Sequence, residues 1–398
     1  MRKRSAEKVK TGKMKLGEIA GRKIIIKYGE LWLKSEPVRR RFARTLADNV
    51  RSSLRSNGVT DFRLERTRDM LILESKNRKS LEVLKRVFGI SWFAEAIETK
   101  PEMRSMEKAV LQLAKRIGRE QTFAIRASRQ DKSLPFTSKD IENEMGKNID
   151  RKVDLSKPDV TIFLEAKRDR VYVYSEKIRG AGGLPYGVSG RVLSLVSGGI
   201  DSPVASWFMM RRGCEVDSVH FHPGVFAGTK SLERLKEVVG KVREHSPRKM
   251  SLYIVPFGEI QKAIIESCER RFTCVLCRRA MYRTAQLLAG KTGCKALVTG
   301  ENLAQVASQT LDNLFVENEV LEIPIFRPLI GMDKEDVIAI AKKIGTYDIS
   351  IKLGCCSLSP KKPSTMARLD RIMAEEKKIK NMGKLIKTAA ESAEKVVI

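Results

Sequence analysis

Ser197-Gly198-Gly199, followed two positions on by Asp201-Ser202, are the residues of this chain whose types and spacing most readily do chemistry. Glycine lets the backbone approach an anion closely, and successive N–H groups at a turn converge on it. Ser197 and Ser202 add hydroxyl donors, and Asp201 can hold a magnesium ion or orient a nucleotide. Such a set needs a strand before it and a helix N-terminus after it, where the positive end of the helix dipole favours phosphate. Both are legible. Leu193, Leu195 and Val196 form a short apolar run that suits a buried parallel strand, and Pro203–Arg212 reads as a helix with proline in its first turn and Gly213 after its last. A Walker A loop, which needs G-x-x-x-x-G-K-[ST], is absent.

Charge narrows the partners. With 77 Lys and Arg against 48 Asp and Glu, the 398-residue chain carries a formal net charge of +29. An excess that large points to a polyanion, with nucleic acid first; a solvated lysine-rich thermophile surface is the alternative. Aromatics are only 6%, which favours phosphate and shape recognition of structured RNA over stacking on an aromatic platform. No apolar run is long enough to span a membrane and no signal-peptide pattern opens the chain, so a cytoplasmic protein is expected. Seven unevenly spaced cysteines give no disulfide framework and fit a reducing compartment.

The positioning elements follow in order. Residues 1–20 form a basic arm. Strand Lys23–Tyr28, helix Pro37–Asn57, strands Phe62–Glu65 and Met70–Glu74, helix Leu81–Phe88 and strand Ser91–Glu98 have the βαββαβ order of a ferredoxin-like domain. A second α+β unit has helix Ser105–Gly118, strand Thr122–Ser128, helix Ser138–Asn148 capped at Ser138, and strands Asp159–Glu165 and Arg170–Tyr174. Arg126, Arg129 and Lys132 suggest a basic face there. Gly180–Gly190 reads as a hinge or linker. Alternating strands and helices follow: Glu215–His222, Lys230–His245, Met250–Val255, Glu259–Arg271, Arg278–Thr292, Ala296–Thr299 and Lys334–Ile344. The tail Thr365–Ile398 reads as one charged amphipathic helix. This second half is predicted to be doubly wound α/β, with its ligand crevice at the carboxyl ends of the strands.

SGGxDS matches the PP-loop of the N-type ATP pyrophosphatases, whose members split ATP between the α- and β-phosphates. KYGELWLKS at Lys27–Ser35, VFGI at Val87–Ile90, LVSGGIDSPVA at Leu195–Ala205, LVTGENLAQVASQTLDNL at Leu297–Leu314 and FRPLIGMDKEDVIAIAKKIGTYDIS at Phe326–Ser350 resemble the tRNA 4-thiouridine synthetase (tRNA sulfurtransferase) family linked to thiamine biosynthesis. The resemblance implies an α/β and α+β multidomain chain: a ferredoxin-like domain at 21–75, a THUMP RNA-binding domain at 76–178, a linker at 179–190 and a PP-loop domain at 191–398. It implies ATP and Mg2+ as cofactors and tRNA as partner. Uridine, expected at position 8, would be adenylated and its 4-oxygen replaced by sulfur, with sulfur transfer for thiamine thiazole synthesis also open. Carried over residue by residue, Leu195, Val196, Ser197, Gly198, Gly199, Asp201, Ser202, His220, Phe221, Arg278, Gly300 and Gln309 are nucleotide contacts. The sequence departs from the bacterial pattern in showing no rhodanese-like domain and in carrying Cys274-Val-Leu-Cys277. Both features suggest an archaeal-type form.

Sulfur transfer needs a thiolate or persulfide. Cys355, followed by Cys356, matches the family's catalytic cysteine, so Asp201, Cys355 and Cys356 are the catalytic candidates. Cys274, Cys277 and Cys355 could ligate an iron–sulfur cluster. All four cysteines could instead hold structural zinc, or the C-x-x-C could resolve a persulfide. The cluster is preferred because the absent relay domain leaves sulfur delivery unfilled. Cys214, Cys268 and Cys294 are read as core. The sulfur donor would be a cysteine desulfurase persulfide or sulfide, and a homodimer is left open. Alternatives are a tRNA-binding module with a vestigial nucleotide site or another PP-loop tRNA thiolase. A small-metabolite ligase would leave the basic N-terminal half without a role.

Overall fold

A computed structural model describes residues 22–30, 34–224, 230–351 and 360–398. The basic arm, Cys355 and Cys356 lie outside the described residues. The first elements are β1 (Arg22–Tyr28), α1 (Glu36–Ser56), β2 (Arg63–Arg66), β3 (Met70–Glu74), α2 (Lys79–Leu84), β4 (Ile90–Thr99), α3 (Met103–Ala114), β5 (Phe123–Arg129), α4 (Ser138–Lys147), β6 (Val160–Ala166), β7 (Val171–Tyr174) and β8 (Ile178–Arg179). After them come β9 (Arg191–Leu195), α5 (Asp201–Arg211), β10 (Glu215–His222), α6 (Lys230–Arg243), β11 (Ser251–Pro256), α7 (Gly258–Ser267), α8 (Thr273–Thr292) and β12 (Leu297–Val298). The chain finishes with α9 (Leu311–Asn318), β13 (Ile325–Phe326), α10 (Lys334–Ile344), α11 (Tyr347–Ser350), α12 (Leu369–Lys377), α13 (Met382–Glu391) and β14 (Glu394–Val397).

One sheet has the order β2-β3-β1-β4-β7-β6-β5, with β8 on β4; the other has the order β13-β12-β9-β10-β11-β14. The described residues pack as two compact units, one of those within 22–26, 72–75 and 93–178, the other of those within 27–71, 76–92 and 179–398. In the first, β5 pairs in parallel with β6, and β6 antiparallel with β7. Helices α3 and α4 bury Met106, Val110, Leu113, Ile141 and Met145 against Ile125, Ile162 and Val173. Thr137, one residue before the expected Ser138, caps α4 in a reciprocal box with Asp140. Arg129 donates to the carbonyls of Leu134 and Phe136 at 3.1 and 2.9 Å, and Arg126 to that of Leu155. Both arginines of the expected basic face therefore also tie down their own loops.

In the second unit β9 lies between β10 and β12, parallel to both, and β11 continues the parallel run. Strand order reverses at β9, so successive crossovers leave it in opposite directions and open a crevice at its carboxyl end. Residues 179–190 are packed against this unit. The N–H of Leu184 donates to Arg211 O at 2.9 Å and Asn49 Nδ2 to Tyr186 O at 3.0 Å. A Cβ on Gly183, at φ +72°, would lie 2.1 Å from Arg211 O.

The tail corrects its sequence reading: it forms α12, α13 and the strand β14, which pairs antiparallel with the edge strand β11. Val396 and Ile398 then pack on Leu235, Val239 and Leu252. The β-branched end covers an edge that would otherwise be open. The expected helix Glu259–Arg271 stops at Ser267, and α8 starts at Thr273 rather than Arg278. That places Cys274 in the first turn of α8 and Cys277 at the start of the second.

His245, beyond α6, lies against Phe88 and Trp207, with ring centroids 5.7 and 6.1 Å away. Burial pushes its imidazole down from 6.5 to about 4, opposed by a hydrogen bond to the Arg86 backbone and by the Glu244 charge, with the charges of Arg86 and Lys343 adding to the fall. The unfolded chain therefore binds a proton over this range that the native state refuses, and stability falls as pH drops from about 6.5 to 4. The loss is on the order of 3 kcal/mol. Urea denaturation across that range is expected to show it, and His245→Phe to flatten that part of the profile.

Candidate active site

The turn after β9 is held by its own atoms. Ser197 N donates to Ser202 Oγ at 3.0 Å, and Gly199 N to Ser197 Oγ at 3.2 Å. Ser194 and Ser206, both buried, join hydroxyls at 2.8 Å and pin strand to helix. Gly300, just past β12, closes on the same place: a Cβ there would sit 2.6 Å from Ser202 N and 2.7 Å from Asp201 C. Only glycine lets the two chain segments meet at the start of α5.

These groups line a cavity of about 400 Å3. Around it the structure gathers Leu195, Val196, Ser197, Gly199, Asp201 and Ser202 from β9, its turn and α5. His220 and Phe221 come from β10, Cys274, Cys277 and Arg278 from α8, and Gly300 and Gln309 from the loop after β12. Gly198 belongs to the same turn without lining the cavity. His220 Nδ1 lies 3.0 Å from Val196 O. A carbonyl can only accept, so Nδ1 carries the hydrogen. Burial holds this ring below its usual pKa, which keeps it neutral with a lone pair on Nε2.

Several residues here escaped the sequence reading. Lys334 Nζ lies 2.6 Å from Asp201 Oδ1, and Gln305 Nε2 lies 3.1 Å from Oδ2. Lysine in the first turn of α10 runs against the helix dipole, and that misfit was the available signal. Glu301, 2% exposed, accepts from Tyr282 at 2.7 Å, Thr299 at 2.9 Å and Arg327 at 2.6 Å, and pairs with Arg278. It thereby holds Arg278 at the cavity wall. Glu317 is fully buried 3.9 Å from Arg278 Nε, and neither of its carboxyl oxygens has a hydrogen-bond partner among the described residues. Gln261 also lines the cavity.

Three family models match the chain. Thiamine biosynthesis protein (ThiI) matches residues 187–381, the ThiI ferredoxin-like domain 23–94 and the THUMP domain 101–176. A probable tRNA sulfurtransferase of Caldanaerobacter subterraneus subsp. tengcongensis is 40% identical over 89% of this chain and 95% of its own. The chain belongs to the ThiI family of tRNA sulfurtransferases. A family member from Methanosarcina acetivorans is 37% identical over 89% of each chain. A solved 4-thiouridine synthetase–RNA complex with bound ATP superposes with a TM-score of 0.86 at 31% identity, covering 95% of this chain and 99% of that one. The sulfurtransferase fold, with ferredoxin-like, THUMP and PP-loop parts, is thus the fold of this chain.

Glu317 offers a check on the site's electrostatics. Burial pushes its carboxyl up from 4.5 to about 8, against the pull of Arg278, Arg327 and Arg279. The native state then holds a proton that the unfolded chain releases, so this group's contribution to stability declines as pH rises from about 4.5 through about 8. Glu317→Gln removes that slope. Melting temperatures at pH 5.5 and 8 are expected to move in the variant's favour at the higher pH.

Proposed function

We propose that this chain uses ATP to adenylate a tRNA uridine, position 8 being the expected one, and replaces its 4-oxygen with sulfur. The observation that carries the reading is the convergence of the Ser197–Ser202 turn, Arg278 and two cysteines on one cavity, in a chain of this family. The nucleotide phosphates rest on the turn and the N-terminus of α5. The uridine O4 attacks the α-phosphorus, the α–β bridge breaks, and pyrophosphate leaves. Lys334, paired with Asp201 at the start of α5, supplies a positive charge that would offset the one developing on that leaving group. Asp201, one carboxylate beside a phosphate turn, suits Mg2+ held largely by the nucleotide's own oxygens, and the ion would neutralise phosphate charge there. A sulfur nucleophile then attacks C4, and AMP departs with the old oxygen.

For delivery of sulfur, Cys355 is the proposed carrier, its persulfide supplied by a cysteine desulfurase; free sulfide, where it is the donor, would attack C4 directly with no carrier and no S–S bond to break. The persulfide's terminal sulfur bonds to C4, and a second thiol breaks the S–S bond, leaving a disulfide for an external thiol to reduce. Cys274 and Cys277 line the cavity and supply candidates for that second thiol. An iron–sulfur cluster needs a third ligand. With Cys355 as that ligand, outside the described residues, a cluster on Cys274, Cys277 and Cys355 is the alternative to the thiol route. The family matches put the ferredoxin-like part at 23–94 and the THUMP part at 101–176, ahead of the PP-loop part expected at 191–398, with the THUMP part and the positive charge engaging tRNA in the cytoplasm. No helix among the described residues is long and apolar enough to cross a membrane.

Asp201→Ala is expected to cut AMP and pyrophosphate formation at least about 100-fold while tRNA affinity holds. Release of ADP by the wild type, or the absence of any ATP-dependent activity to lose, would overturn the enzyme reading. For the thiols, Cys355→Ser should abolish thiouridine absorbance while adenylation, followed by AMP release, continues. Stoichiometric iron in an anaerobic preparation, lost in Cys274→Ser, would replace the thiol route with the cluster.

A further inference from the structure

Gln261 sits one turn into α7 with its side chain on the cavity, and it is 4% exposed. Its carbonyl oxygen Oε1 is buried without a hydrogen-bond partner among the described residues. A buried acceptor left unpaired is costly, and a ligand that brings a donor removes that cost.

Its place in the cavity is set by backbone. Gln261 N donates to Phe257 O at 3.1 Å, Phe257 N donates to His222 O at 2.9 Å, and the Phe221 and Phe257 rings meet edge-on at 5.1 Å. Gln261 therefore stands at the end of β10, beside Phe221, while the phosphate turn stands at the end of β9. Nearby hydroxyls are already committed, Tyr282 to Glu301 at 2.7 Å and Thr273 to Arg270 O at 2.7 Å. The other unpartnered amide oxygen on the cavity, that of Gln309, belongs to the loop whose Gln305 reaches Asp201, on the phosphate side.

We propose that Gln261 selects the base of the nucleotide, its Oε1 accepting a hydrogen from the 6-amino group of adenine. This rests on reading the cavity as an ATP site. A 6-oxo purine would set one acceptor against another, so guanine nucleotides are excluded by the same atom. Leu195, Phe221 and Met281 supply the apolar surround for the ring.

The test compares ATP, purine riboside 5′-triphosphate (which lacks the 6-amino group) and GTP, by equilibrium binding to the full chain and by AMP formation with tRNA. Wild type is expected to bind ATP about 10-fold more tightly than the 6-unsubstituted nucleotide, with GTP weaker still. Gln261→Met should bring ATP and purine riboside triphosphate to within about 2-fold, through loss of ATP affinity. Gln261→Glu keeps an acceptor in place and should keep the preference; it carries the test if the Met variant does not fold. An undiminished ATP preference in Gln261→Met, or its loss in a folded Gln261→Glu protein, overturns the assignment. Wild type that binds none of the three nucleotides and forms no AMP fails at the ATP reading itself, and Gln261 falls with it.

Discussion

The site depends on a close approach between two backbones. Gly300 lies against the first turn of α5, with no room for even a methyl group between it and Ser202. That contact joins the loop after β12 to the turn after β9 on the two sides of the strand-order reversal. It makes one cavity wall from segments about a hundred residues apart in sequence. The hydroxyl bonds among Ser197, Ser202 and Gly199 then hold the turn in shape. A turn fixed in this way limits the ordering that any ligand would have to supply on binding.

Around that contact the charges are layered. Glu301 collects Arg278, Arg327 and two hydroxyls in a nearly dry place, while Asp201 takes Lys334 and Gln305 at the more open mouth. Buried ion pairs contribute little net stability by themselves, but breaking one by removing a partner is expensive. Their effect here is positional: Glu301 fixes Arg278 at the cavity wall, and Lys334 is fixed on Asp201, each cation held by a carboxylate on another element. Glu317, buried beside Arg278 with no hydrogen bond of its own, adds a carboxyl that burial keeps largely protonated at neutral pH.

Where sequence and structure part, one cause recurs. The tail reads as a helix because charged residues at helical spacing fill most of it. Its last residues are instead drafted by the open edge of β11, a demand that local propensity does not carry. By sequence alone α8 starts five residues late because four of the five residues Thr273–Cys277 are Thr, Cys or Val, all weak helix formers; packing of Val275, Leu276 and Cys277 in the core supplies what propensity lacks. In the same way the glycine-rich stretch at 180–190 suggests mobility by composition, yet its glycines serve close packing against Arg211 and Ile90.

What the sequence determined by itself was the chemistry that is local in the chain. The Ser-Gly-Gly-x-Asp-Ser turn, the strand before it, the helix after it and the family's motifs are all contiguous, and the alternation of strands and helices was enough for the α/β class. What only the tertiary structure decided was what depends on neighbours distant in sequence. Lys334 lies 133 residues from the Asp201 it pairs with, and Arg278 is held by Glu301 and approached by Glu317. Gln261 is an ordinary helical glutamine until burial strips its carbonyl of partners. A one-dimensional string carries spacing and propensity, whereas desolvation and charge pairing exist only once the chain has brought those groups together.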